Sequence, residues 1–235
     1  MNLILLTQYD FVSEDRARLS DRRCLHVTEV LRAEEGRELA VGLLNGRIGI
    51  GRVISRDNDS LDLHVRLDSD PPPPLPATVL LALPRPKVLR RVLFTLSTMG
   101  VKRIILLNAL RVEKSYWQTP FLAPANIMHQ LMLGLEQARD TVLPEVLLRQ
   151  RFKPFVEDEL PHLIAETLPL VAHPHAVDPC PLGVDRPVTL AIGPEGGFVE
   201  YELDRLLSCG FRSVAMGRRI LTVESAVPAL LGRLF

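Results

Sequence analysis

Apolar positions along this chain fall into short runs separated by turn residues, and their spacing changes character near residue 71. Before that point, residues 38–44, 47–55 and 60–67 alternate apolar and polar side chains, the period of half-buried strands, and predict a small β-barrel. Asn45-Gly46, between the first two runs, is a hairpin signal. Beyond it, apolar runs at 79–83, 103–107, 145–148, 168–172, 188–192 and 213–216 alternate with helical patterns near 87–98, 123–139, 155–166, 199–209 and 222–234. That alternation predicts an α/β fold with a parallel sheet. Pro71-Pro72-Pro73-Pro74, with Pro76 just beyond, favours extended geometry and predicts a stiff spacer. The expected organisation is a β-barrel at 1–70, a proline-rich linker at 71–76 and an α/β domain at 77–235.

Composition narrows this picture only a little. A length of 235 residues suits one large or two small domains, and a hydrophobic content of 47% supports a full core. Cys24, Cys180 and Cys209 are odd in number and scattered, which argues against a disulfide framework. The opening run 3–6 is too short for a signal segment, and no apolar run approaches the ~20 residues of a membrane span. The expectation is a soluble intracellular protein with no membrane partner.

Charge is more informative by position than in sum. Residues 1–70 hold ten Arg and no Lys against thirteen acidic residues, so the barrel is no simple basic clamp. Between Pro84 and Lys114, by contrast, Arg85, Lys87, Arg90, Arg91, Lys102, Arg103, Arg111 and Lys114 face Glu113 alone. Such a stretch suits a phosphate backbone, where contacts give affinity without reading sequence. For any single residue, a solvated helix face remains the simpler reading.

Candidate chemistry concentrates near the C-terminal end. Leu190-Ala-Ile-Gly-Pro-Glu-Gly-Gly-Phe198 places a glycine loop between a predicted strand and a predicted helix, and Met216-Gly-Arg-Arg-Ile-Leu-Thr-Val-Glu-Ser-Ala226 places a second one about twenty residues later. Glycine there permits positive φ or close approach of backbone to a ligand, while Pro194 stiffens the first turn. Neither loop has the G-x-G-x-x-G or Lys-Ser/Thr pattern of the familiar phosphate cradles. His173, His175 and Cys180 lack a fourth partner for a structural zinc site, so no metal is expected. No G-x-S-x-G elbow occurs.

The pair of loops resembles the RsmE family, the 16S ribosomal RNA uridine-N3 methyltransferases of the SPOUT superfamily. Cys24-Leu-His-Val-Thr-Glu-Val-Leu-Arg32 is similar to the family's N-terminal H-x-x-x-V-L-R segment, and Met99-Gly-Val-Lys-Arg-Ile-Ile105 to its E-L-G-V-x-R-I segment. Glu136-Gln137 and Pro144-Glu145-Val146 match its E-Q helix and P-x-V strand, so the resemblance covers most of the chain in order. The chain departs from the family at Thr222 and Val223, where Arg-Thr is usual, at Thr95 and Thr98, and at Ala138-Arg139-Asp140.

This resemblance implies a PUA-like barrel followed by a SPOUT-type parallel sheet with a C-terminal trefoil knot. It implies S-adenosylmethionine held by Ile192, Gly193, Pro194, Glu195, Gly196, Gly197, Met216, Gly217, Ile220 and Leu221. Arg219 and Glu224 are the expected catalytic residues, and Arg32, Arg90, Arg91, Lys102, Arg103 and Arg218 the expected RNA contacts. The implied partners are ribosomal RNA or the small ribosomal subunit and a second copy of the chain, in the cytoplasm. Methylation at uracil N3 needs an unpaired or extruded base, because pairing occupies that nitrogen. Two alternatives stay open from sequence: a SPOUT enzyme with another RNA target, and an RNA-binding or ribosome-associated protein without catalysis.

Overall fold

The computed structural model describes residues 1–57 and 59–235. They form two compact units, one of Met1–Pro73 with Leu131–Leu143, the other of Pro74–Gln130 with Pro144–Phe235.

The first unit is a six-stranded mixed sheet of half-barrel, PUA-like form. Its strands are β1 (Ile4–Leu6), β2 (Phe11–Ser13), β3 (Arg16–Leu19), β4 (Glu38–Leu43), β5 (Ile48–Arg56) and β6 (Leu61–Ser69), in the order β1-β4-β5-β6-β3-β2. Only β1 and β4 pair in parallel. The alternation read from sequence holds in β6, where Leu61, Leu63 and Val65 join Ala17, Leu19, Val41 and Val53 in one core. Register shifts at Ile48/Gly49 and Val53/Ser55 interrupt the β5–β6 ladder, the kind of irregularity that bends a strand and lets a sheet curl. Strands β1 to β3 escape the sequence reading for a physical reason. The first is buried along its whole length and does not alternate, and the others span too few residues to establish a period.

A one-turn helix, α1 (Arg22–Leu25), starts behind Asp21, whose carboxylate accepts the Arg23 amide N–H at 2.9 Å. The Arg23 guanidinium is buried and donates to both carboxylate oxygens of Asp10, at 2.7 and 2.8 Å, and to the Leu5 carbonyl at 2.6 Å. Division at the proline run would leave 131–143 with the second half of the chain. In the fold Leu135 packs with Leu3 and Leu5, and the buried Glu136 carboxylate accepts two hydrogen bonds from Arg22 at 2.6 and 3.0 Å.

The second unit carries a fully parallel sheet of β7 (Leu75–Ala82), β8 (Val101–Leu107), β9 (Glu145–Arg149), β10 (Leu168–Ala172), β11 (Val188–Ile192) and β12 (Arg212–Val214), ordered β12-β10-β11-β7-β8-β9. Its centre is apolar on both faces, as expected where helices cover a parallel sheet: Val79 to Leu83, Ile104 to Leu107 and Leu190 to Ile192 are buried. The helices are α2 (Pro86–Thr98), α3 (Pro124–Ala138), whose residues from Leu131 belong to the first unit, α4 (Phe152–Pro154), α5 (Leu160–Ile164), α6 (Glu200–Ser208) and α7 (Val223–Leu234), with a further helical segment at Phe155–Glu159. Pro76 lies inside β7 and not in a spacer; the ladder with β8 is irregular between Leu75 and Thr78, where a residue without an N–H is tolerated. Along α7, Val227, Leu230, Leu231 and Leu234 are buried within the chain's own core, which leaves Phe235 as its exposed apolar end. Among the described residues no helix is long and apolar enough to cross a membrane.

Candidate active site

Strand order reverses beside β7. The chain lays down β7, β8 and β9 toward one edge and then returns to build β10, β11 and β12 on the other side, so the loops at the carboxyl ends of these strands converge on a crevice. A cavity of about 500 Å³ lies on the β10, β11 and β12 side of that reversal. It is lined by 172–175 after β10, 192–198 after β11, 214–223 from the end of β12 to the start of α7, Ala226 and Leu230 of α7, and Arg111 from the loop after β8, with Arg218 alone missing from the third stretch.

All ten residues expected at a cofactor site are in that lining: Ile192, Gly193, Pro194, Glu195, Gly196, Gly197, Met216, Gly217, Ile220 and Leu221. Local geometry explains the glycines. The Gly197 N–H donates to the Pro194 carbonyl at 2.7 Å, closing a tight turn that ends on Gly197 at φ +72°. A Cβ on Gly193 would stand 2.9 Å from the Phe198 amide nitrogen, against backbone that cannot swing away. Gly217 sits at φ +114°, outside the range of ordinary side chains.

Two charged groups pin the first glycine loop. The Glu195 carboxylate accepts the Arg85 amide N–H at 2.9 Å, and the Arg111 guanidinium donates to the Gly196 carbonyl. Glu202 is buried and accepts from the Leu110 amide at 2.7 Å and the Val199 amide at 3.0 Å, so one carboxylate joins the loop after β8 to the start of α6. Removal of such an acceptor would orphan two backbone donors, at about 1–3 kcal/mol each. In the sequence Arg111 is one cation of a basic stretch and Glu202 carries no signal, because nothing in their spacing announces a partner on another loop.

His173 and His175 also line the cavity, their rings in a T-shaped arrangement with centroids 5.8 Å apart. Burial, and then the neighbouring His175, hold the His173 imidazole below its ordinary pKa and so neutral near pH 7. Cys180 is buried and unpaired. The described residues contain no group of three or more His, Cys, Asp or Glu side chains arranged to hold a metal. These histidines could have been found from the sequence as the residues that follow a buried strand in a parallel sheet.

The two expected catalytic residues separate. Arg219 is exposed and lines the cavity, whereas Glu224 is outside the lining, its carboxylate 3.2 Å from the Arg91 guanidinium. The expected RNA contacts are equally divided. Arg90 lies 5.0 Å over the Phe121 ring, Arg103 pairs with Glu145 at 3.3 Å, and Arg91 is held by Glu224. Arg218 is exposed beside the cavity, Arg32 is exposed in the first unit at φ +48°, and Lys102 is partly buried next to Arg103. Thr222 and Val223, where the resemblance leads one to expect Arg-Thr, both face the cavity; Val223 is buried and the Thr222 hydroxyl meets Ser225 Oγ at 3.0 Å.

Residues 71–234 match the RNA methyltransferase domain family. The ribosomal RNA small subunit methyltransferase E of Treponema pallidum is 30% identical over 97% of this chain and 88% of its own length. A second relative, ribosomal RNA small subunit methyltransferase E 1 of Borreliella burgdorferi, is 22% identical over 97% of the chain and 95% of its own. The crystal structure of the Neisseria gonorrhoeae ribosomal RNA small subunit methyltransferase E bound to S-adenosyl methionine shares the fold with a TM-score of 0.75, at 20% identity, over 98% of this chain and 95% of that one. A match over most of the sequence to the domain, and over nearly all of it to a methyltransferase E, places the chain in the RsmE family of RNA methyltransferases.

Proposed function

We propose that this protein is an S-adenosylmethionine-dependent methyltransferase acting at N3 of a uridine in 16S ribosomal RNA. The observation that carries the reading is the convergence of both glycine loops on one cavity, with Arg219 at its edge. The residues fit the cofactor. Gly193 leaves no room for a side chain against the loop, Gly217 takes a φ open to glycine, and Ile192, Phe198, Val214, Leu221 and Leu230 give apolar walls for an adenine and a methionine chain.

When bound, S-adenosylmethionine supplies an electrophilic methyl group on its sulfonium. The chain's own part is to hold the uracil so that N3 faces that methyl group, since orientation supplies much of such a transfer. Arg219 stabilises negative charge on the uracil as the imide proton leaves, and Glu224, which lies outside the lining and is paired with Arg91, takes that proton once a phosphate has drawn Arg91 away. Arg90, Arg91, Lys102, Arg103, Arg218 and Arg32 contribute phosphate contacts. The first unit binds ribosomal RNA, and the reaction takes place in the cytoplasm.

The trefoil knot belongs to the same reading. Strand β12 pairs with β10 at Leu170 to Ala172, while Ala215 bridges Pro179 in the loop that leaves β10. The end of α7 meets that loop again, where the Val184 amide donates to the Leu234 carbonyl at 2.6 Å. A segment flanked by a strand and by that strand's own outgoing loop supports passage of the chain through the loop. A homodimer is supported by apolar residues left on the same connection, Val177 and Leu182, exposed at 97% and 75%.

The deciding experiment is mass-spectrometric mapping of ribosomal RNA nucleosides from a deletion strain, before and after incubation with the purified protein and S-adenosylmethionine. We expect N3-methyluridine to be absent from the deletion strain and restored by the protein. A different restored nucleoside would replace the target, and restoration of none would replace the enzyme with a binding protein.

A further inference from the structure

The loop after β8 leaves the cavity edge at Arg111 and runs through Glu113 to Phe121 before α3 begins. The whole protein has three Tyr, eight Phe and one Trp, and three of these twelve aromatics fall within six residues here: Tyr116, Trp117 and Phe121. Each is partly exposed, and each is fixed in place. The Trp117 indole N–H donates to the Asn108 side-chain carbonyl at 2.8 Å. Tyr116 donates its hydroxyl to Glu113 at 3.1 Å and accepts from the Arg85 side chain. Phe121 lies under the Arg90 guanidinium. Arg85, Arg111 and Lys114 are exposed around them, with Glu113 the acidic neighbour in this segment.

Pinned aromatic rings interleaved with exposed cations are the chemistry that holds an unpaired nucleic-acid strand, where bases stack on rings and phosphates meet charge. A buried core explains neither the partial exposure of the three rings nor the cations around them. We propose that Tyr116 and Trp117, framed by Arg85 and Lys114, form a stacking platform for a single-stranded RNA segment that flanks the nucleotide entering the cavity. The assignment rests on the reading of this protein as an RNA methyltransferase. It adds a substrate-binding surface that the glycine loops do not provide, and it explains how an unpaired target is selected: a duplex keeps its bases stacked on one another and offers none to the platform.

Trp117 is the protein's one tryptophan, so its emission reports on this surface alone. The probe is an oligouridine of about ten nucleotides, within the span that single-strand sites cover, compared with an RNA duplex of equal length. We expect the oligouridine to quench Trp117 emission and the duplex to leave it unchanged. By anisotropy of the labelled oligouridine, Tyr116→Ala should bind about tenfold more weakly, Trp117→Ala similarly, and Trp117→Phe close to wild type because the ring remains. Lys114→Gln, which disturbs no ring, should weaken binding and flatten its salt dependence. The platform is overturned if oligouridine binds without quenching, if it does not bind at all, or if Tyr116→Ala and Trp117→Ala bind as wild type. Methyl transfer to ribosomal RNA, assayed in parallel, separates the two readings. Quenching by a protein that methylates nothing removes the enzyme and keeps the platform, whereas methylation that Tyr116→Ala, Trp117→Ala and Lys114→Gln all leave unchanged removes the platform and keeps the enzyme.

Discussion

Arg91 on α2 and Glu224 at the start of α7 form an ion pair at 3.2 Å across 133 residues of sequence. The sequence reading assigns Arg91 to phosphate contact and Glu224 to catalysis, so the pair joins two roles that the sequence keeps apart. Both side chains are substantially exposed, and such a pair contributes only about 0–1 kcal/mol to stability. We therefore expect Arg91→Ala and Glu224→Ala to fold normally. If an incoming phosphate draws Arg91 away and frees the carboxylate, the two substitutions will not be additive in single-turnover methylation. A double-mutant cycle is expected to show a coupling above about 0.5 kcal/mol; a cycle that sums within that limit denies the pair a part in the reaction.

The glycine loop sets a ranking among substitutions. Alanine at Gly193 would press on the Phe198 amide at 2.9 Å, while alanine at Gly196 would meet the Arg111 Cδ, the flexible part of a side chain that can move. At Gly197 the added Cβ meets nothing within 4 Å, so the cost there is the positive φ, roughly 1–2 kcal/mol. Calorimetry with S-adenosylmethionine should find affinity lost most at Gly193→Ala and least at Gly196→Ala. The reverse order would mean that the loop does not shape the cofactor site.

Much of this site is legible in the sequence because it is local. A strand, a glycine turn and a helix start are all written within 188–200, and the same holds for 212–224. What is illegible is long-range. Arg85 reaching Glu195, Arg111 reaching Gly196 and Glu202 reaching Leu110 each join loops that follow different strands, and no local period encodes such a meeting. The return of Leu131–Leu143 to the first unit has the same origin. Leu135 continues an unbroken helical pattern, and only its packing on Leu3 and Leu5 reveals where it belongs. Strand β1 hides because a fully buried strand loses the alternation that marks a half-buried one.

Acid should loosen the first unit through the carboxylates gathered around the buried Arg23. Burial pushes the Asp10 carboxyl up, but hydrogen bonds from Arg23 and Thr7 outweigh it and hold the group below its ordinary pKa; Asp21 is lowered in the same way by Arg23. A depressed carboxylate contributes stability that is fully present above the unfolded value near ~3.9 and is lost as pH falls through the folded value. Urea midpoints should therefore hold steady from neutral pH to about pH 5 and fall below about pH 4. Asp10→Asn should lower the midpoint at neutral pH and flatten the acid limb. An unchanged acid limb would remove Asp10 as its source.

Assembly makes its own prediction. Since α7 buries its apolar stripe in its own core, the surface we assign to a second copy is the connection that carries the exposed Val177 and Leu182. Light scattering at micromolar concentration is expected to give twice the chain mass for the wild type and a monomer for Val177→Asp/Leu182→Asp with unchanged circular dichroism. A monomeric wild type would refute the dimer outright.

Arg219 and Arg218 offer the sharpest separation of binding from chemistry, because they are neighbours with different surroundings. Arg219 lines the cavity, whereas Arg218 is exposed and outside the lining. If Arg219 stabilises charge that develops on the uracil only as the proton leaves N3, its loss should act on the rate and not on RNA affinity. Single-turnover methylation by Arg219→Ala is expected to fall about a hundredfold, the scale seen when one preorganised donor is removed, with RNA and cofactor binding nearly unchanged. Arg219→Lys should recover part of the rate, since it keeps the charge but loses the planar fork. Arg218→Ala should do the opposite, weakening RNA binding in a salt-dependent way while the rate at saturating RNA holds. Should Arg219→Ala weaken RNA binding and leave the saturated rate intact, the guanidinium is a phosphate contact. The charge on the uracil must then be met elsewhere in the lining, where Arg111 is the other cation.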